Sequence, residues 1–126
     1  MSTLTRAITT AGSALVFAAG LAVTSQAMAA DGALTKNQKE GKEIAFARHV
    51  GNCLACHKIA DGKEAGNIGP ALIAMKARYP TKKALFKVIW DPRTKFGRGI
   101  IMPPFGAHKI LTKDQIEKIV DYLYTL

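Results

Sequence analysis

Gly51-Asn52-Cys53-Leu54-Ala55-Cys56-His57 is the stretch that decides how this 126-residue chain is read. It holds both of the cysteines in the sequence. Cys-x-x-Cys-His is the attachment sequence of c-type haem. With one helical turn between them, the thiols of Cys53 and Cys56 can each add to one of the two haem vinyl groups. His57, next in line, then projects its imidazole toward the iron. Other chemistries also use paired cysteines. A thioredoxin-like redox pair belongs beside a βαβ pattern, and no run here alternates like a strand. A Cys53–Cys56 disulfide would close a tiny loop and stabilise little. Zinc would need further ligands, usually a second cysteine pair, and none is present. Haem is therefore the expected cofactor.

The sixth iron ligand has to come from elsewhere in the chain, where the candidates are Met75, Met102, His49 and His108. Met102 lies in Ile100-Ile101-Met102-Pro103-Pro104-Phe105-Gly106, an apolar stretch stiffened by two prolines. Pro103 pushes Met102 out of helical geometry, so the segment reads as an extended strap able to present a thioether. Gly97, Gly99 and Gly106 allow the turns into and out of it. Met75 shares a helical face with Leu72 and Tyr79 and reads as core. His49 falls too near Cys53 to reach the opposite haem face, whereas His108 competes from the same loop. Met102 is the expected distal ligand, so the metal ligands are His57 and Met102 and the haem-binding residues are Cys53, Cys56, His57 and Met102. Such a pair fills both axial positions and favours the ferrous form, which points to one-electron transfer rather than chemistry on a substrate at the iron. No catalytic residue stands out. The Pro70 carbonyl either orients the His57 Nδ1–H or simply belongs to a turn.

Around these motifs the sequence reads as helices and long loops. Lys36–Val50 is amphipathic and ends before Gly51. Ala71–Arg78 forms a short helical turn, Thr81 caps a helix through Trp90, and Asp91-Pro92 stops it. Thr112 and Gln115 form a capping box for a last helix in which Ile116, Ile119, Val120 and Leu123 share one face. Residues 61–70 and 91–108 are Gly- and Pro-rich loops, unusually long for so small a domain unless something fills the space between them. Phe46, Tyr122 and Leu123 are candidate contacts to the haem edge; Trp90 either faces a propionate or is ordinary core.

Residues 1–29 carry one basic residue (Arg6), an apolar core over Ala14–Val23 and the small-x-small sequence Ala27-Met28-Ala29. That pattern predicts a cleaved Sec-type signal, too short for a membrane span, so the domain of residues 30–126 is expected in the periplasm with no stable membrane insertion. The chain has 18 Lys+Arg against 9 Asp+Glu, a formal charge of +9. Such a surface suits an acidic protein partner or an anionic substrate. Export and the lack of a base-reading motif argue against nucleic acid.

Taken together, Gly51-Asn52-Cys53-Leu54-Ala55-Cys56-His57, Asn67-Ile68-Gly69-Pro70-Ala71-Leu72, Met102-Pro103-Pro104-Phe105-Gly106 and Ile110-Leu111-Thr112 resemble the SoxX family. SoxX proteins are the mono-haem cytochrome subunits of the SoxAX complex in bacterial sulfur oxidation. The resemblance runs from about Gly41 to Leu126. It implies an all-α, cytochrome c-like domain of three to five helices with long loops wrapped around one covalently bound haem c. It also implies a heterodimer with a SoxA-type cytochrome subunit, transient contact with the SoxYZ carrier, and electron transfer to a downstream cytochrome. That complex conjugates thiosulfate to a cysteine of SoxY (L-cysteine S-thiosulfotransferase activity), and the SoxX subunit relays electrons without holding the catalytic residue. A free-standing class I cytochrome c that shuttles electrons is the other reading. An extensive exposed apolar patch would favour the subunit, and a polar surface the shuttle.

Overall fold

The computed structural model describes residues 33–60 and 62–126; the expected signal sequence, residues 1–29, lies outside them. Helix α1 (Lys36–Phe46) starts at Thr35. The Thr35 hydroxyl accepts from the Gln38 N–H, and the Gln38 side chain accepts in return from the Thr35 N–H. This reciprocal cap satisfies two donors that a helix start otherwise leaves unpaired. The helix stops four residues short of the expected Val50. Ala47 turns extended, and the N–H groups of Gly51 and Asn52 fold back onto the carbonyls of Ile44 and Ala47. That reversal returns the chain to α1 just before Cys53–Ala55, a single 3₁₀ turn.

Helix α2 (Met75–Arg78) is shorter than the expected Ala71–Arg78. Leu72 is instead drawn into an isolated parallel bridge with Ile59, its N–H donating to the Lys58 carbonyl at 2.8 Å. Only after Ala74 takes a left-handed conformation (φ 51°) does the helix begin. Pairing with a distant segment has overridden local periodicity here. Helix α3 (Lys82–Trp90) matches the expectation, with the Thr81 hydroxyl accepting from the Ala84 N–H. A further short helix, α4 (Arg93–Phe96), interrupts the segment expected to be all loop. Asp91-Pro92 ends α3 and also starts α4: the proline sits at the first turn, where a missing N–H costs nothing, and Asp91 accepts from the Arg93 N–H. Helix α5 (Lys113–Leu123) carries the expected Thr112/Gln115 capping box.

These five helices, with no strand among the described residues, make an all-α domain. Ile116, Ile119, Val120, Tyr122 and Leu123 of α5 are buried and pack against α1 and α3. Met75, Ala45 and Ile59 complete the centre. At the α1–α5 crossing the backbones touch: a Cβ on Gly41 would stand 1.9 Å from the Lys118 carbonyl oxygen. Only glycine permits that approach. None of the described helices is long and apolar enough to cross a membrane.

An ionic clasp closes the same crossing. Lys118 Nζ on α5 reaches Glu40 Oε2 on α1 at 2.9 Å and Asp114 Oδ2 at 2.8 Å. The hydrogen bond from Lys118 holds the Glu40 carboxyl below its ordinary range. A carboxyl depressed on folding stabilises the protein above its unfolded value, near 4.5, and that contribution fades as pH falls through the folded value. Glu40→Gln is therefore expected to lower the denaturant midpoint at neutral pH. The gap to the parent should narrow as pH falls below that unfolded value, and a pH-independent gap would contradict this account.

Candidate haem site

The 3₁₀ turn is joined to the loop beyond it by a regular series of contacts. Gly66 N–H donates to the Leu54 carbonyl, Gly69 N–H to that of Cys56, and Leu72 N–H to that of Lys58, each at 2.8 Å. Between the last two, His57 Nδ1 lies 2.7 Å from the Pro70 carbonyl oxygen. A carbonyl only accepts, so Nδ1 carries the proton and Nε2 is left with its lone pair for a metal. Such a bond fixes the tautomer and ring orientation and raises ligand basicity. Of the two readings of Pro70, the orienting one agrees with this geometry.

Gly69 completes the seat. A Cβ there would fall 2.4 Å from His57 Cε1 and 2.6 Å from Nδ1, so the imidazole lies flat against bare backbone. In the sequence, Gly69-Pro70 signals only a turn; its role depends on a residue twelve positions away. Arg78 Nη1 donates to the Ala71 carbonyl at 2.8 Å and pins the same loop from α2.

Cys53 and Cys56 are both free thiols and both half-buried. Burial pushes the Cys53 thiol up to about 11. Redox-active and nucleophilic cysteines are shifted the other way, toward the thiolate. That environment does not favour the thiolate at Cys53 that a dithiol oxidoreductase would need.

The other candidate ligands separate clearly. Met75 is 1% exposed at the centre of the core, as expected. His49 is exposed in the turn after α1. His108 is exposed too, with Nε2 3.5 Å from Arg93 Nη1, and Arg93 is itself paired with Asp91. Met102 is half-buried against the core, outside regular structure. Phe46 and Tyr122 meet edge-to-face at the α1–α5 crossing, with centroids 6.1 Å apart, and Leu123 is buried beside Tyr122 in α5. Trp90 is partly exposed and stacked on Phe86 rather than enclosed in the core.

Large apolar side chains stay exposed next to these groups in the chain: Ile68 (66%) before Gly69, Ile73 (62%) after Leu72, and Ile101 (75%) before Met102. A surface cleft of about 580 Å³ lies elsewhere, between α3 and α5. Its Lys82 and Lys113 are already paired with Asp121 and Glu117.

The donor set therefore fits a haem: two half-buried thiols, an imidazole with one nitrogen committed to backbone, and a thioether on a separate loop, with apolar side chains flanking both. A small helical domain with these groups belongs to the haem-carrying electron-transfer proteins. The cytochrome c family model matches residues 38–126, and the chain belongs to the cytochrome c family. That family carries haem c covalently, and Cys53 and Cys56 fit its attachment motif. No curated protein matches the chain.

Enlarging Gly69 tests the seat of His57. Gly69→Val is expected to drive the ring off the Pro70 carbonyl and lower the yield of haem-loaded protein several-fold, since overpacking at such a contact costs about 1–3 kcal/mol. The haem-to-protein absorbance ratio of purified material reads this out. An unchanged ratio would separate Gly69 from haem capture.

Proposed function

We propose that this cytochrome is an electron-transfer subunit held against a second redox protein, as SoxX is within SoxAX, with His57 and Met102 as the axial ligands of its haem iron. What supports the subunit reading is the ordered run of motifs at residues 51–57, 67–72 and 102–106, which together resemble SoxX. The sequence resemblance names the partner class, a SoxA-type cytochrome. The basic surface supports acidic partners. The leader-like residues 1–29 support export and a periplasmic site of action.

In this reading Cys53 and Cys56 anchor the haem as thioethers. His57 would hold the iron through Nε2, with its Nδ1–H on the Pro70 carbonyl. Met102 supplies a soft thioether that favours the reduced state. One-electron exchange at iron is the chemistry the bound haem contributes. With His57 and Met102 both holding the iron, the domain would exchange electrons without binding a substrate there, and sulfur chemistry would fall to the partner.

Met102→Ala is expected to keep the haem covalently attached, lower the reduction potential and abolish the methionine-to-iron charge-transfer band. An unchanged spectrum and potential would reject Met102 as ligand.

Co-expression with a SoxA-type subunit tests the assembly. A stable complex is expected, active with thiosulfate and SoxYZ. Strictly monomeric elution of the parent beside that partner would favour a free-standing shuttle.

A further inference from the structure

The segment that carries Met102 is held from one end only. On its C-terminal side, the Gly106 and Ala107 N–H groups both donate to the Trp90 carbonyl at 3.1 Å. Phe105 is buried, and its carbonyl accepts from Ile110 and Leu111. The Trp90 indole lies flat on Gly106, where a Cβ would stand 2.2 Å from Cδ2 and from Cε3. Phe86 stacks on that indole, with centroids 5.6 Å apart and planes 23° apart. On the N-terminal side, no backbone hydrogen bond ties residues 98–102 to other described residues. A Cβ on Gly99 would meet nothing within 4 Å.

We propose that Trp90 is the positioning residue for Met102, acting through Gly106, and that the strap yields from its Gly97–Ile101 side. This rests on the reading of Met102 as distal ligand and adds what holds it in place. Trp90 ends α3, so its carbonyl is one of those a helix leaves unpaired, and the strap supplies both donors. Pro103 and Pro104 have fixed φ, so a shift at Gly106 is carried to Met102 with little loss. A shift near Gly99 is absorbed by backbone that bonds to nothing. The competition between the Met102 thioether and an external ligand is thus set at the end of α3.

Imidazole titration of the ferric, haem-loaded protein measures this directly, because apparent affinity scales with the population in which Met102 has moved away. Loss of the methionine-to-iron band reports displacement, and denaturant unfolding reports global stability separately. Gly106→Ala and Trp90→Leu are expected to tighten apparent imidazole binding by about tenfold or more, with Trp90→Phe partly restoring the parent value. Gly99→Ala, the same change in the loose half, should stay within about twofold of the parent. Parent-like binding by both Gly106→Ala and Trp90→Leu would overturn the proposal, as would Gly99→Ala matching them. If Trp90→Leu lowers the unfolding midpoint sharply, Gly106→Ala and Trp90→Phe decide. Met102→Ala is the control: it should lack the band and bind imidazole without competition. Retention of the band there would overturn the ligand assignment itself, a result distinct from insensitivity at Trp90.

Discussion

Everything at the site depends on the joining of the attachment turn to the loop that follows it. Residues 54–58 offer alternate carbonyls to Gly66, Gly69 and Leu72, and the His57 ring fills the interval by donating to Pro70. Backbone bonds of this kind are worth about 1 kcal/mol each, but together they set one register. In that register bare Gly69 faces the imidazole, and no neighbouring residue could take its place. The orientation of His57 is thus a property of the backbone, supported from α2 by Arg78.

The helices supply the frame against which that loop is held. Gly41 lets α1 and α5 touch at backbone distance, and Lys118 bridges them at the surface. A domain of this size buries a modest core, so it gains little from packing beyond these crossings. Long loops on such a frame gain stability from a covalently held group between them. The two sides of the site differ in how they are built. The His57 side is bonded at alternate residues, whereas the Met102 side hangs from Trp90.

Much of this was legible in the residues. Threonine caps and apolar spacing located α3 and α5 almost to the residue, because both helices are amphipathic and each follows a Thr whose hydroxyl accepts from the N–H three positions on. The attachment motif pointed to haem, and Met102 stood out by its prolines. The failures have common physical causes. Helix α1 ends early because the chain must reverse toward Cys53, and Ala71–Ala74 stays extended because Leu72 pairs with Ile59. Helix α4 was hidden because Asp-Pro signals a stop and a start alike, and only the stop was read.

Short-range chemistry, then, was determined by sequence alone: which residues attach the cofactor, which cap helices, and which faces are apolar, since each depends on neighbours within about one turn. Tertiary structure decided which nitrogen of His57 is free, why Gly69 and Gly106 are glycines, and which end of the Met102 strap is fixed. Those properties arise between residues twelve or more positions apart, and only the folded backbone sets the distance between them.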